Sequence, residues 1–269
     1  MERSVYTLGV DIGSTASKTI LLEGGVRVAG RSLVPLGAGT AGPDRAVAAV
    51  LEEAGLRQKD LVCVVSTGYG RGHVEGAADS RSELSCHAAG AVFLCPGVRT
   101  VIDIGGQDTK ALQISAAGIL ESFVMNDKCA AGTGRFLEVM ARVLDVPMES
   151  LAELDERSES PAAISSTCTV FAESEVISRL SGGAAREDIV RGIHDSIASR
   201  AAGLAARLQI RQPVLLTGGL SRDAALVRAL ERKLDCPVGT SPLSVYAGAL
   251  GAALLAWKRY RRQEKEVRL

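Results

Sequence analysis

The segment VDIGSTASK, from Val10 to Lys18, returns as IDIGGQDTK from Ile102 to Lys110. The two copies align without a gap at an offset of 92 residues and share Asp, Ile, Gly and Lys in one register. Each copy lies between two apolar runs, which predicts a strand, a glycine turn and a second strand in both places. Because two unrelated hairpins would rarely share one register, the repeat predicts a duplicated α/β fold with two lobes, residues 1–98 and 99–269.

Charge and composition narrow the class of protein. The 269 residues include 31 Lys and Arg against 31 Asp and Glu, so there is no basic excess for a nucleic acid and no electrostatic reason to bind an anionic membrane. The longest apolar run, from Val245 to Trp257, has 13 residues, fewer than the ~20 of a membrane span. It predicts a helix packed closely on a neighbour. Six cysteines without a CxxC pair favour reduced thiols and a cytoplasmic location.

The residues of each glycine turn suit a nucleotide. An Asp at the end of a strand, here Asp11 and Asp103, can hold Mg²⁺ through the waters of the ion. Glycines let successive N–H groups approach phosphate oxygens, and the hydroxyls and lysine of the first copy add donors and a charge. Two such turns would grip a polyphosphate in a central cleft, while the P-loop and Rossmann fingerprints are absent. The nucleotide-binding residues predicted in this way are Gly13, Ser14, Thr15, Ala16, Ser17, Lys18, Gly105, Gly106 and Gln107.

A third glycine element lies between Val214 and Leu234. Its apolar start predicts a buried strand, and Gly218 and Gly219 form a tight turn on which an adenosine can lie flat. Ser221 is the expected N-cap of a following helix whose leucines recur every four residues. Together with the two phosphate turns, this element predicts an ATP site.

These three elements resemble the two phosphate motifs and the adenosine motif of the acetate and sugar kinase, heat-shock 70 and actin superfold. Within that superfold, nearly the whole chain resembles the ATP-dependent activators of 2-hydroxyacyl-CoA dehydratases, a family related to the ATPase subunits of benzoyl-CoA reductase. The segments that carry this resemblance are SELSCHAAGA (82–91), VIDIGGQDTKAL (101–112), MNDKCAAGTGRFLEVMA (125–141), AISSTCTVFAESEVISRLS (163–181), GIHDSIASR (192–200) and SPLSVYAGALGAAL (241–254).

The resemblance implies an ATPase that drives one electron, received from a ferredoxin or flavodoxin, into a dehydratase. It also implies a homodimer that holds one [4Fe–4S] cluster between its subunits, with Cys129 and Cys168 as ligands. The surroundings of both cysteines are consistent with cluster binding. Each cysteine precedes a predicted helix, where N–H groups and the helix dipole stabilise a thiolate. Their polar neighbours, which a core thiol does not need, are Lys128, Thr133, Ser165, Ser166, Thr167 and Thr169. Since a cluster takes four thiolates, two chains must share it.

The sequence also gives expectations for individual residues and segments beyond these motifs. Either Gln107 or Asp108 would orient the attacking water, and this choice stays open. His194 is expected to be a solvated or a satisfied helix histidine rather than a metal ligand. The segment 64–76 is expected to be a strand followed by a Gly-rich loop, which is either a mobile loop near the cluster or the partner or an ordinary connector. The segment 153–160 is expected to be a surface loop that joins the two cysteine helices. The remaining cysteines are expected to pack in the fold: Cys63, Cys86, Cys95 and Cys236.

Three alternative functions stay open. An activator of another CoA reductase or of a double-cubane iron–sulfur protein would use the same chemistry. A small-molecule kinase of the same superfold would need an acceptor pocket and a catalytic Asp base, and would leave Cys129 and Cys168 unexplained. A nucleotide-switched assembly protein would form filaments and hold no iron.

Overall fold

The computed structural model describes residues 4–165 and 168–267, so Ser166 and Thr167, two predicted neighbours of Cys168, lie outside the described residues. The chain divides into two compact units. The first comprises the chain up to Pro96, Ala117–Leu120 and the chain from Tyr246 onward, and the second comprises Gly97–Ala116 and Glu121–Val245.

The first unit is built on a five-stranded sheet in the order β3-β2-β1-β4-β5. Its strands are β1 (Tyr6–Ile12), β2 (Ser17–Glu23), β3 (Arg27–Val34), β4 (Leu61–Gly68) and β5 (Asp79–Ser80), and its first two helices are α1 (Gly42–Glu53) and α2 (Glu83–Leu94). The central strand β1 is antiparallel to β2 and parallel to β4. Its residues are buried from the second to the last, as expected for a strand covered on both faces.

The second unit repeats this plan in the sheet order β10-β9-β6-β7-β8. Its strands are β6 (Thr100–Ile104), β7 (Thr109–Ile114), β8 (Leu120–Asn126), β9 (Val214–Thr217) and β10 (Val238–Gly239). Its helices are α3 (Gly134–Leu144), α4 (Leu151–Glu156), α5 (Thr169–Ser181), α6 (Arg186–Ala205) and α7 (Ala224–Leu234). The apolar face of α3 supplies Phe136, Leu137 and Met140 to the core of this unit.

The two sheets match strand for strand. In each, the central strand pairs antiparallel with the next strand along the chain and parallel with a later one. The registers also agree, because Asp11 is opposite Lys18 and Asp103 is opposite Lys110. The predicted duplicated α/β fold is therefore confirmed at the level of individual residues.

The last helix, α8 (Ala247–Val267), packs on the first unit. The hydroxyl of Thr7 donates to the carbonyl oxygen of Ala253 at 3.1 Å. At Gly251 an added Cβ would collide with the carbonyl oxygen of Cys86 in α2, so the two helices need glycine at their contact. The predicted close-packed helix is present. Because it packs on the first unit, the chain from Tyr246 onward belongs to that unit, and the division differs from the single boundary predicted between residues 98 and 99.

Two local expectations need correction. The N-cap of α7 is Asp223, whose Oδ1 accepts from the N–H of Leu226 at 3.1 Å. Ser221 instead closes the preceding turn by donating its hydroxyl to the carbonyl of Gly218 at 2.7 Å. The segment 153–160 is not wholly the expected surface loop. Its first residues belong to α4, and Asp155 is fully buried there. Among the described helices, none combines the length and the apolar character that crossing a membrane requires.

Candidate functional site

Matching glycine turns follow the central strands of the two units. The N–H of Gly13 donates to the carbonyl of Ala16 at 3.0 Å, and the N–H of Gly105 donates to the carbonyl of Asp108 at 2.9 Å. Gly13 and Gly105 are equivalent in the repeat, so the same hydrogen bond closes both turns. The predicted strand, turn and strand are present in both places.

Each turn carries a lysine and a carboxylate on neighbouring strands. Lys18 Nζ lies 3.4 Å from Asp11 Oδ2, and Lys110 Nζ lies 3.6 Å from Asp103 Oδ2. The lysines differ in burial, because the Lys18 side chain is 15% exposed and that of Lys110 only 1%. Lys110 also lies 2.7 Å from Asp108 Oδ2. Lys18 is therefore placed to reach a ligand, whereas Lys110 is enclosed between carboxylates.

Asp11 and Asp103 offer the hard oxygen ligands that Mg²⁺ prefers. Both carboxylates are nearly buried, and the hydroxyl of Thr217 donates to Asp103 Oδ1 at 2.7 Å. Because protein-bound Mg²⁺ usually keeps several waters, carboxylates already engaged by the protein fit an ion that they contact through water. The donor set therefore suits Mg²⁺ that arrives with a nucleotide.

Sequence reasoning did not select His87, which lies beside Asp11. A Cβ added at Gly248 would stand 2.9 Å from His87 Nε2 and 3.0 Å from Asp11 Oδ2. His87 is buried in α2, and the segment around it was informative only through its family resemblance. Only the packing of α8 against α2 and β1 shows that this histidine is part of the carboxylate's surroundings.

The hydroxyls of the first turn have different roles. Ser14 and Thr15 are exposed and Ala16 is half-buried. Ser17 is buried, and its hydroxyl donates to the carbonyl of Leu36 at 2.8 Å. Ser17 therefore holds the turn against the following segment, and Ser14 and Thr15 remain as exposed donors.

The carbonyls of both turns accept hydrogen bonds from N–H groups outside the turns. The N–H of Ala38 donates to the carbonyl of Gly13 at 2.9 Å, and that of Gly134 donates to the carbonyl of Gly105 at 2.9 Å. The N–H of Arg135 likewise donates to the carbonyl of Gly106 at 2.8 Å. These peptide bonds are trans, so the N–H that follows each carbonyl points the opposite way. The N–H groups of Gly106 and Gln107 are thereby aimed away from α3, as a phosphate site requires.

The two candidates for orienting water differ in freedom. The Asp108 carboxylate is engaged by Lys110 at 2.7 Å and folds over its own turn, where an added Cβ at Gly105 would collide with it. The side chain of Gln107 is exposed. Geometry therefore favours Gln107 for a ligand outside the turn and gives Asp108 a part in holding the turn.

A second set of equivalent residues lies at the ends of β4 and β9, the strands that run parallel to the central strands β1 and β6. Thr67 is opposite Asp11 and Thr217 is opposite Asp103. The next residues, Gly68 and Gly218, both have φ of +86°, and a Cβ at Gly218 would collide with the carbonyl of Ile104. Such a left-handed conformation at a crowded position favours glycine. The Thr-Gly pair at 67–68 and at 217–218 is the sequence signal that could have extended the repeat to a third strand.

The adenosine turn is closed on one side and open on the other. The N–H of Gly218 donates to the carbonyl of Ser244 at 3.3 Å, and the hydroxyl of Thr240 donates to the carbonyl of Ser221 at 2.9 Å. Gly219 is exposed, and no described heavy atom outside its chain neighbours and the backbone of its own helical turn lies within 4 Å of a Cβ built there. The turn thus presents a flat backbone surface on a fixed support, which suits a planar base.

Cys129 and Cys168 are half-buried thiols of the second unit. Cys168 is the N-cap residue of α5, as predicted. Cys129 is not at a helix start, because α3 begins only at Gly134, after Gly132 with φ of +87°. The loop of Cys129 is nevertheless fixed, since Asn126 Nδ2 donates to the carbonyl of Cys129 at 3.3 Å.

These two thiols fit an iron–sulfur cluster in kind but not in number. Thiolates are the ligands that iron–sulfur clusters take, four to a [4Fe–4S] cluster. The N-cap position of Cys168 adds helix N–H groups, which stabilise thiolate charge. Cys129 and Cys168 would supply two of these four ligands.

The other cysteines have the surroundings of packing residues. Cys63 and Cys86 are buried, and burial raises the pKa of the Cys86 thiol to about 11. Burial also raises the pKa of Cys63 and of Cys236. These groups stay neutral thiols near pH 7. Cys95 is half-buried after α2.

A duplicated sheet with two acidic glycine turns and a Gly-Gly turn is the architecture of the actin-like ATPases. A glucokinase of the ROK family from Streptomyces griseus, 17% identical with a TM-score of 0.57 over 94% of this chain and 99% of that one, shares the fold alone. The chain belongs to the BadF/BadG/BcrA/BcrD ATPase family, which matches residues 8–256. The predicted superfold and the predicted ATPase class are thereby confirmed.

Several relatives are similar over nearly their whole length. The (R)-2-hydroxyglutaryl-CoA dehydratase activating ATPase of Acidaminococcus fermentans is 54% identical over 95% of this chain and 98% of that protein. The activator of lactoyl-CoA dehydratase of Anaerotignum propionicum is 50% identical over 94% and 98%. The activator of the 2-hydroxyisocaproyl-CoA dehydratase from Clostridium difficile, solved with bound ADPNP, is 46% identical with a TM-score of 0.95 over 97% and 98%. The predicted family resemblance is confirmed.

Proposed function

We propose that this chain is an ATP-hydrolysing activator that delivers a low-potential electron to a 2-hydroxyacyl-CoA dehydratase. Relatives at 54% and 50% identity are named as activators of such dehydratases, which supports the dehydratase as partner. The electron donor is a ferredoxin or a flavodoxin, and the protein works as a cytoplasmic homodimer. A [4Fe–4S] cluster held by Cys129, Cys168 and the same two cysteines of a second copy supplies the one-electron chemistry.

The nucleotide is bound by the glycine turns of each unit. Exposed Ser14 and Thr15, the Lys18 ammonium and the N–H groups of Gly106 and Gln107 bind the phosphates. Gly13 and Gly105 close the turns, and Gly218 and Gly219 carry the adenosine. Asp11 and Asp103 hold Mg²⁺ through its waters. A nucleotide bound as ADPNP in a relative that is 46% identical supports this assignment.

One observation carries the proposal: the second phosphate turn is hydrogen-bonded directly to the start of the helix that follows Cys129. The N–H groups of Gly134 and Arg135 donate to the carbonyls of Gly105 and Gly106. The hydroxyl of Thr109, just after this turn, donates to the carbonyl of Gly132 at 2.9 Å. A phosphate that shifts the turn therefore pulls on the loop of Cys129 through three hydrogen bonds, which a plain kinase would not need.

Gln107 orients the attacking water in this proposal. Its side chain is exposed, whereas Asp108 is engaged by Lys110. An activator of another CoA reductase remains the second candidate, because one of the benzoyl-CoA reductase subunits of Thauera aromatica is 36% identical over 98% of this chain and 96% of that protein. Pairing the purified chain with dehydratase or reductase components distinguishes the two.

The test of the proposal is an iron count on protein purified without oxygen. We expect a brown homodimer with about four iron atoms per two chains. Cys129→Ser and Cys168→Ser should each lose the iron and the colour. Cys95→Ser is the matched control, because Cys95 is also a half-buried thiol, and it should keep both. A colourless, iron-free wild type that still hydrolyses ATP would refute the cluster and the electron transfer.

A further inference from the structure

The second unit contains a buried histidine between two carboxylates. His194, in α6, has no exposed surface, and its Nδ1 lies 2.8 Å from Asp155 Oδ2 of α4. Its Nε2 lies 3.2 Å from Asp223 Oδ2 at the start of α7. The predicted satisfied histidine holds for Nδ1, whereas Nε2 faces Asp223 at ion-pair distance without hydrogen-bond geometry. Presenting a proton to both carboxylates requires the doubly protonated ring, because neutral imidazole has a single N–H.

The charges around the ring favour its protonated form. Burial alone would lower the pKa of His194, but the hydrogen bonds to Asp155 and Asp223 outweigh burial and raise it to about 9. Arg191 of α6 and Arg228 of α7 lie 3.9 and 3.7 Å from Asp155 Oδ1. They give Asp155 further positive neighbours, so the imidazolium matters most to Asp223.

Asp223 connects this ion pair to the adenosine turn. Its Oδ1 caps α7 by accepting from the N–H of Leu226, while its Oδ2 faces His194. Its own N–H donates to the carbonyl of Leu220 at 3.1 Å, in the single helical turn that begins at Gly219. Asp223 therefore joins three elements: its main-chain N–H bonds to the glycine turn, and its carboxylate caps α7 and faces His194 of α6.

We propose that His194 is a positioning residue for the nucleotide, because its doubly protonated ring holds Asp223 and, through it, the Gly218–Gly219 turn that receives the adenosine. This inference rests on the proposed function in taking that turn as the adenosine site. When the ring loses its second proton, it releases one of the two carboxylates. The turn then loses part of its support, and the bound base loses its fixed surface.

The experiment measures the Kd of ADP by titration calorimetry on the intact protein between pH 7 and pH 10. The wild-type Kd should rise about tenfold through a midpoint near 9. His194→Gln should bind ADP about tenfold more weakly at pH 7, with a flat profile. Asp223→Asn keeps a side chain that caps α7 but loses the charge facing His194, and it should behave in the same way.

Asp195→Asn is the matched control. Asp195 pairs with Arg232 at 2.8 Å and so also joins α6 to α7, but through side chains that are 30% and 39% exposed. This variant should bind ADP like the wild type. If it weakens binding as much as His194→Gln, the effect belongs to helix packing and the inference is overturned.

The remaining outcomes separate this inference from the proposed function. A wild type that does not bind ADP would refute the nucleotide site itself. A wild type that binds ADP with the same Kd from pH 7 to pH 10 would overturn the inference alone, even if His194→Gln fails to fold. Unchanged Kd values in His194→Gln and Asp223→Asn would overturn it as well.

Discussion

The backbone N–H of Gly134 donates to the carbonyl oxygen of Gly105 across 2.9 Å, which ties the first residue of α3 to the second phosphate turn. The N-cap residue Thr133 makes no side-chain cap, so the turn itself serves as the cap of the helix. Since these carbonyls face α3, the opposite N–H groups point away from it. In the proposed function, phosphate and helix bind the two ends of the same peptide groups.

Replacing Gly134 with Pro should uncouple the nucleotide from the loop of Cys129. Proline is tolerated at the first position of a helix, but it has no N–H for the carbonyl of Gly105. We expect the Kd of ADPNP to change less than about threefold while iron release to a chelator no longer differs between apo, ADP and ADPNP states.

Gly134→Ala is the control for this substitution. Its N–H is retained, and the added Cβ would lie 3.3 Å from the Gly105 carbonyl, which a small shift accommodates. This variant should keep the nucleotide-dependent rate of iron release. Identical release rates in all nucleotide states of the wild type would contradict the coupling itself.

Removal of the two equivalent lysines should have different consequences. Lys110→Met leaves the buried Asp103 and the half-buried Asp108 beside an uncharged side chain and should lower the free energy of unfolding by about 3–5 kcal/mol. Lys18→Met should cost less stability, because Lys18 is partly exposed, but lower the ATPase kcat about 100-fold. Urea unfolding and steady-state ATPase assays measure both, and equal behaviour of the two variants would contradict the assignment.

Gln107 and Asp108 can be distinguished by the same two measurements. Gln107→Ala should lower kcat about 100-fold and leave the free energy of unfolding unchanged, because its side chain is exposed. Asp108→Asn breaks the ion pair with Lys110, so it should lower stability more than turnover. A normal kcat in Gln107→Ala would assign the water to another residue.

The stability of the protein should fall at alkaline pH because of His194. Its pKa is raised in the fold from 6.5 to about 9, so its contribution is complete below pH 6.5 and is lost as the pH rises through 9. The difference in unfolding free energy between wild type and His194→Gln should shrink by about 3 kcal/mol over that range. Urea unfolding at pH 6.5 and pH 9.5 tests this, and a constant difference would contradict it.

Much of the site could be predicted because its chemistry is local. A strand, a glycine turn and a second strand are written in consecutive residues, so the repeat of Val10–Lys18 at Ile102–Lys110 predicted both turns, their register and the duplicated sheet. The Gly218–Gly219 turn follows the same local logic. The sequence by itself also indicated that Cys129 and Cys168 have unusually polar neighbours.

Only the tertiary structure decided which of these groups are available to a ligand. Lys18 is partly exposed and Lys110 is buried, although the two lysines are equivalent in the sequence repeat. The hydroxyl of Ser17 is already hydrogen-bonded to the carbonyl of Leu36, although the sequence alone does not distinguish it from Ser14. Packing also returns α8 to the first unit, far along the chain from the strands of that unit. In the second unit, packing places the start of α3 at Gly134 against the turn at Gly105. The physical reason is that turn geometry depends on neighbours along the chain, whereas burial and charge pairing depend on neighbours that packing brings together.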